Sequence, residues 1–269
     1  MKDCFCISNN LVCVCNCLKK NITFVVALAL YLFLIINPVH ATELKVPPVQ
    51  YPKLPLSGEK ATDFTPNGWK IEIQLTGDIN TDNIEDTVLV LRENNPKNIV
   101  KHNDLGENPF DTNPRMLVLL IGKTDGGYEL FQYNKKFIPR RTDPLISDYL
   151  TGIGTGGVEI QQGLIKVLMS VFYSAGSWEF TNYIFTFRWQ NKQFELIGYD
   201  RNTTNRSSGR TKDISINYST RKAKISCNDP DSDEKGKVIW KKLPSNKIWT
   251  IDTIGNGIEF NPGINVNCN

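Results

Sequence analysis

The chain has 269 residues, 40% of them hydrophobic, and its formal net charge at pH 7 is +3. This apolar content supports a globular core and excludes disorder throughout, and the length allows one large β domain or two small ones. The charge is nearly balanced, and no dense block of Lys or Arg follows residue 41. A nucleic-acid partner is therefore not indicated.

Residues 1–41 have the pattern of a secretory signal peptide. An apolar run of about 14 residues over 23–36 follows two lysines, whereas a membrane span needs about 20 residues. The small residues Val39 and Ala41 predict cleavage before Thr42. The protein would then be periplasmic or secreted, without a membrane anchor. The alternative is an uncleaved N-terminal anchor, because the segment before the apolar run is long.

Cysteine usage predicts one disulfide. Five of the seven cysteines precede the apolar run, so cleavage would leave only Cys227 and Cys268. Two cysteines in an oxidising compartment most simply pair. The bond would close a loop of about 40 residues, worth roughly 4 kcal/mol in the chain-entropy model.

The remaining chain is predicted to be β-rich. Residues 42–67 are rich in Pro and lack any period, which predicts an extended leader before a β domain over 68–269. In that domain, β-branched and aromatic segments alternate with turn residues, and no window sustains a helical period. The predicted strands are 69–76, 86–93, 115–122, 127–134, 163–173, 178–189, 193–200, 213–219 and 222–226.

Short links between the predicted strands indicate hairpins at 123–127, 161–163 and 190–192. The predicted fold is therefore all-β, an antiparallel meander of hairpins in one propeller-like or sandwich-like domain. Two longer connections, 94–114 and 137–157, have a length typical of functional or disordered segments.

The run GDINTDNIEDTVLVL, which begins at Gly77, has the spacing of a calcium loop. Counting from Asp78, side-chain oxygens fall at position 1, at position 3 (Asn80), at position 5 (Asp82) and at position 9 (Asp86). With the backbone carbonyl of Ile84 at position 7, these oxygens could surround a hard cation. The predicted metal ligands are Asp78, Asn80, Asp82, Ile84 and Asp86.

Two details limit this interpretation. Position 12 is Leu89, where an EF-hand has a bidentate Glu, and a strand pattern follows, so an EF-hand is excluded. Position 6 usually needs a positive φ and is Gly, but here it is Asn83, the next best tolerated residue. The alternative is a turn of Asx residues with solvated carboxylates and no ion.

The same residues resemble the calcium loop of the FG-GAP and VCBS type, which lies between blade strands of integrin-α-like β-propellers. Asn83 departs from the Gly of that motif. The wider run over 66–200 also looks like a group of exported proteins of Gram-negative bacteria that carry one such loop. The resemblance implies one structural Ca²⁺. A complete propeller is not predicted, because no second copy recurs at a blade-like period.

Catalysis has little support in the sequence. Signal cleavage would leave His102 as the single histidine, which excludes a His-based metal cluster and disfavours a catalytic triad. Paired carboxylates for glycoside hydrolysis stay open, and the candidates are Asp143, Asp148, Glu159, Glu179 and Glu195. Aromatic residues crowd into one region, where core packing is the default interpretation and a binding face is the alternative. They are Tyr173, Trp178, Phe180, Tyr183, Phe185, Phe187, Trp189 and Phe194.

The sequence therefore predicts an exported, non-catalytic β-rich protein with one structural calcium loop, for which an envelope protein or a carbohydrate are the candidate partners. The rival is a secreted hydrolase with paired carboxylates, such as a glycoside hydrolase. A cleft with two facing carboxylates about 5 to 9 Å apart would favour the enzyme. A flat aromatic face, or no such cleft, would favour binding.

Overall fold

The computed structural model describes residues 44–151, 156–232 and 236–264. The predicted signal peptide and Cys268 lie outside these ranges, so the cleavage site and the disulfide stay predictions. The chain divides into two compact units, Met1–Leu44 and Lys45–Asn269, and the features below belong to the second. Within the described ranges, no helix is long and apolar enough to cross a membrane.

Within the described residues, the regular elements are strands and two short 3₁₀ helices, Ala61–Phe64 and Pro96–Asn98. The strands are β1 (Ser57–Gly58), β2 (Trp69–Gly77), β3 (Asp86–Glu93), β4 (Ile99–Val100), β5 (Phe110–Asp111), β6 (Arg115–Gly122), β7 (Tyr128–Asn134), β8 (Gly157–Gln161), β9 (Leu164–Phe172), β10 (Glu179–Gln190), β11 (Gln193–Asn205), β12 (Thr211–Asn217), β13 (Lys222–Asn228) and β14 (Lys237–Lys242).

The strands form two antiparallel sheets and a small ribbon. One sheet has the order β1-β7-β6-β3-β2, the other is the meander β14-β13-β12-β11-β10-β9-β8, and β4 pairs with β5. The predicted class, an all-β antiparallel meander, is confirmed. The hairpin turns fit this topology because Gln162, Gly163, Asn191 and Lys192 all have φ between 52° and 73°. Two successive positive φ values give the turn twist that matches paired strands.

The main core lies between the inner faces of the two sheets. Val88 and Val90 on β3 belong to the same buried cluster as Phe185 and Phe187 on β10 and Tyr199 on β11. Burial of apolar surface on one face of each sheet is the usual reason for sheets to stack. The fold thus takes the sandwich-like form of the prediction.

The outer face of the five-stranded sheet is also buried. Leu89 and Leu91 on β3 are fully inaccessible, and they pack in a second cluster with Leu54 and Phe64. The segment predicted as an extended leader therefore contributes a strand and core residues to the β domain. Unbroken apolar runs in β3 and β6 follow from this burial on two sides.

The outer face of the seven-stranded sheet is open to solvent at its β12–β14 end. Ile214 and Ile216 on β12 point into the core, whereas the alternating Ser215 and Asn217 are exposed. Such alternation is typical of an antiparallel sheet with one wet face.

Both long connections are packed segments. The connection 94–114 contains β4 and β5, and the described part of 137–157 buries Phe137, Tyr149 and Leu150 in the main core. The C-terminal segment after β14 likewise buries side chains there, Leu243, Ile251, Ile254 and Phe260. Sequence pattern missed these contacts because isolated apolar residues carry no period.

Candidate functional site

The predicted calcium loop joins β2 to β3, as expected. The carboxylate of Asp78 accepts hydrogen bonds from the backbone N–H groups of Thr81, Asp82 and Asn83, at 2.7, 3.2 and 2.9 Å. Asn83 has a φ of 66°, the left-handed conformation that position 6 requires, and Thr81 has the same value. A positive φ is a genuine outlier for a β-branched residue such as Thr81. The curled backbone therefore carries strain that Asp78 holds in place.

Asn80 and Asp82 bond each other in this loop. The amide Nδ2 of Asn80 donates to Asp82 Oδ2 at 2.8 Å, and Asn80 Oδ1 accepts from the backbone N–H of Asp82 at 3.0 Å. The other oxygen of Asp82 accepts from the backbone N–H of Ile84 at 2.8 Å. Both predicted ligands thus have protein partners, while the loop around them is exposed.

Asp86 closes the base of the loop and is fully buried. Its Oδ2 accepts from the backbone N–H of Ile79 at 2.9 Å, and its Oδ1 accepts from the N–H of Gly122 on β6 at 2.8 Å. Burial raises the pKa of Asp86 above its ordinary value and outweighs the hydrogen bonds that lower it; Asp82 raises it further.

The donor chemistry fits calcium better than the side-chain arrangement does. Three carboxylates, an amide oxygen and a carbonyl are the hard ligands that Ca²⁺ takes. However, no group of three or more His, Cys, Asp or Glu side chains in the described ranges is gathered in a way that could hold a metal ion. Each carboxylate has about four lone-pair sites, so those of Asp78, Asp82 and Asp86 keep unused capacity. On uptake of an ion, the hydrogen bond from Asn80 Nδ2 would compete with that ion for Asp82 Oδ2.

The carboxylates considered for hydrolysis do not all converge. Glu179 lies opposite Asn205 on β11, and Glu195 lies opposite Arg188, so ten residues of β11 separate the two levels. At about 3.3 Å per residue, that is roughly 30 Å. Glu159, on β8, is exposed.

Glu195 is held by amide groups. Its carboxylate accepts from the side-chain amides of Gln190, Asn191 and Gln193. Burial alone would raise its pKa, but these three hydrogen bonds, with a smaller contribution from Arg188, lower the pKa below its ordinary value. Glu195 is therefore an ionised group with most of its acceptor capacity used.

Asp148 belongs to a buried ion network that the sequence did not indicate. Arg115, which is 3% exposed, donates from Nη2 to Asp148 at 2.9 Å and to Glu72 at 2.8 Å. Glu72 also forms an ion pair with Arg92, whose Nη2 lies 3.0 Å from Asp111 Oδ2. Burial raises the pKa of Asp148, but attraction and hydrogen bonds from Arg115 outweigh it, so the pKa is lowered. Asp148 and Glu72 share the Arg115 cation. This arrangement is typical of an ion network that anchors the connection after β7, and not of a catalytic acid and base pair.

Four of the surface hollows in the described part of the chain bear on catalysis. One of about 370 Å³ is lined by Glu195 together with Tyr218 and Arg221. Two others contain Glu107 and Glu259 as their only carboxylates, and a fourth contains none. None of these four therefore presents two facing carboxylates, the feature that would favour a hydrolase.

The aromatic cluster is mostly core, which confirms the default interpretation. Phe185, Phe187 and Phe194 are fully buried, while Trp178 is 62% exposed. The sequence reading missed Trp240, which is 65% exposed on the edge strand β14. A signal was available, because the alternation of β14 places Trp240 on the face opposite Ile239.

The chain matches no protein-family model, and comparisons with curated proteins and with solved structures gave no match. The resemblance of loop 78–86 to FG-GAP and VCBS loops therefore stays a prediction. The function has to be argued from the geometry of this chain.

Proposed function

We propose that the protein is an exported, non-catalytic β-sandwich module in which loop 78–86 takes up one structural calcium ion. The observation that carries the proposal is the loop backbone, with positive φ at Thr81 and Asn83 and three N–H groups on Asp78. Strain of this kind costs about 1–3 kcal/mol per residue and clusters at functional sites. A divalent cation would offset the repulsion among the acidic side chains and the burial of the Asp86 charge.

Asp78, Asn80, Asp82, Asp86 and the carbonyl of Ile84 would hold the ion. Calcium would stabilise the connection between β2 and β3. It would add to the hydrogen bond by which Asp86 already ties the loop to Gly122 on β6. The similarity of the loop to FG-GAP and VCBS loops supports this assignment. Export rests on the apolar run over 23–36, and N-terminal sequencing that finds residues before Thr42 would contradict cleavage.

The absence of catalysis is supported by the state of the carboxylates. Glu195 is occupied by three amides, Asp148 by Arg115 and two backbone N–H groups, and Asp143 by the N–H of Leu145. A glycosidase needs one carboxyl free to protonate and a second free to attack or to activate water. This geometry favours binding over the rival hydrolase.

Calcium addition to chelator-treated protein tests the proposal. The melting temperature should rise with calcium, because an ion that binds only the native state stabilises it by RT ln(1 + [Ca]/Kd), about 2.7 kcal/mol at one hundred times Kd. Asp82→Ala should abolish this rise. The matched control is Asp104→Ala, which removes an exposed Asp outside the loop and should preserve it. If the melting temperature of the wild-type protein does not rise at millimolar calcium, the loop is a plain turn and the proposal is wrong.

A further inference from the structure

The strands at one edge of the seven-stranded sheet carry a basic aromatic patch, defined here as Lys222, Lys224, Trp240 and Lys242. Lys222 pairs with Lys242 and Lys224 pairs with Trp240 in the register of β13 and β14, so all four side chains lie on one face. That face is the outer one, because the alternating Ala223 and Ile225 are buried in the protein. All four members of the patch are exposed.

The charges of the patch are not neutralised by any side chain in the part of the chain that the structure describes. The ammonium groups of the three lysines make no hydrogen bond or ion pair with the described residues. Asp213, on the same face of β12, accepts a hydrogen bond from Asn202 at 3.1 Å. Three uncompensated ammonium groups within two neighbouring strands create a positive potential that attracts anions.

Lys242 lies on the edge strand β14, where a lysine also protects a sheet from pairing with another chain. That role does not explain Trp240, because an indole that is 65% exposed favours association and would defeat such protection. The indole borders a hollow of about 480 Å³. The hollow is lined by Ser215, Asn217, Thr220, Lys222, Lys224 and Trp240.

We propose that this patch binds an acidic carbohydrate, with a sugar ring stacked on Trp240 and its carboxylates paired with the lysines. This inference rests on the proposed role as a non-catalytic binding module and names the ligand class. Aromatic faces offer a flat apolar surface, which suits the C–H face of a pyranose. Ser215 and Asn217 supply hydrogen-bonding groups for ring hydroxyls beside the indole.

An anionic membrane surface is the rival occupant, because lysines and a tryptophan also suit lipid headgroups. The patch offers little for acyl chains, since its exposed apolar neighbour on the same strand face is the small side chain of Val238. Binding at a membrane interface scales with the buried apolar area. A concave hollow lined with hydroxyl and amide groups favours the carbohydrate.

Affinity electrophoresis of the exported chain in gels that contain polygalacturonate tests this site, with dextran as the neutral glycan. The wild-type protein should be retarded by polygalacturonate and not by dextran, and added salt should weaken the effect. Trp240→Ala should weaken binding about tenfold, the change expected for the loss of one stacking partner. Lys222→Gln with Lys224→Gln should weaken it at least as much and reduce its salt dependence.

Matched controls separate the patch from general surface effects. Trp178→Ala removes an equally exposed indole, and Lys53→Gln with Lys101→Gln removes two exposed lysines outside the patch. These controls should bind as the wild type does. Equal losses in controls and patch variants, or no retardation of the wild type, would overturn the inference.

Two further readouts distinguish this failure from failure of the proposed function. Release of reducing ends from polygalacturonate would refute the non-catalytic role while leaving the patch assignment intact. Co-sedimentation with phosphatidylglycerol vesicles that depends on Trp240, without polygalacturonate binding, would assign the patch to membranes and overturn the carbohydrate. The calcium response of the melting temperature is measured separately and does not depend on the patch.

Discussion

Asp86, a predicted calcium ligand, has a structural role in the fold that does not depend on an ion. Its spacing predicts a calcium ligand, and the structure gives both of its oxygens backbone donors from Ile79 and Gly122. Because burial raises the pKa of Asp86, its charge costs stability in the folded state at neutral pH. Asp82, by contrast, is exposed, so after its truncation water can replace the carboxylate as the acceptor for Asn80 and Ile84.

Asp86→Ala should destabilise the protein more than Asp82→Ala does when both are measured with chelator present. The first change leaves two buried N–H groups unpaired, each worth about 1–3 kcal/mol, although it also removes a buried charge. We expect a net loss of about 2–4 kcal/mol for Asp86→Ala and under about 1 kcal/mol for Asp82→Ala from urea unfolding. Equal losses would show that the base of the loop is not anchored by Asp86.

Asp148 contributes to the stability of the folded protein, and this contribution is lost at acid pH. Its folded pKa lies below the ordinary value of 3.8, so the unfolded chain takes up protons first as the pH falls. The contribution of Asp148 to stability is therefore full above pH 3.8 and is lost as the pH falls through the folded pKa.

Arg115→Met should remove that contribution. A buried carboxylate without its cation costs about 3–5 kcal/mol, and it regains part of this on protonation. The variant should therefore be strongly destabilised at pH 7 and should recover stability relative to wild type on acidification. Denaturant titrations across pH 3 to 7 measure this, with the exposed Lys101→Met as control. A constant difference between wild type and Arg115→Met at all pH values would contradict the linkage.

At the scale of elements, the positions of the strands in the sequence were predictable, but the segments that pack against them were not. The predicted strands 86–93 and 115–122 coincide with β3 and β6, because apolar β-branched runs and flanking turns are local signals. The same runs also signal burial on two sides, yet nothing local identifies Leu54 and Phe64 as the cover. That contact depends on a partner distant in sequence.

The predicted calcium loop and the basic aromatic patch also differ in how local their signals are in the sequence. The predicted calcium loop could be found in the sequence because its predicted ligands lie within nine residues of one another. The basic aromatic patch joins Lys222 and Lys224 to Trp240 across a turn, and only the register of β13 and β14 brings them together. Arg115, Glu72 and Asp148 lie still farther apart in the sequence, so no local pattern could predict their network.

Phe64→Ala tests whether the leader belongs to the fold. Phe64 is fully buried under the five-stranded sheet, so its truncation should cost about 3–5 kcal/mol in urea unfolding. Leu56, in the same segment, is 78% exposed, and Leu56→Ala should change the free energy of unfolding by less than about 0.5 kcal/mol. Similar small effects at both positions would mean that the leader is a detached extension.

At the scale of the whole molecule, Cys227 lies on β13 and its predicted partner Cys268 lies outside the described residues. If the two are paired, mass spectrometry of the exported protein under non-reducing conditions should find no free thiol. Cys227→Ser should lower stability by roughly 4 kcal/mol, the value for a closed loop of about 40 residues. Addition of reductant should reproduce the loss in the wild type and have no effect on the variant. Two free thiols in the exported wild type would exclude the bond.

The pairing of β1 with β7 has a consequence for the order in which the chain folds. Ser57 lies opposite Glu129, so β1 finds its partner strand only after roughly seventy further residues have been synthesised. Contacts of such separation form late, because loop closure has to precede them. Until then the outer face of β3 and β6 is uncovered and open to association. A protease that removes residues 44–64 after folding would expose that face again, so this segment also protects the folded protein from aggregation.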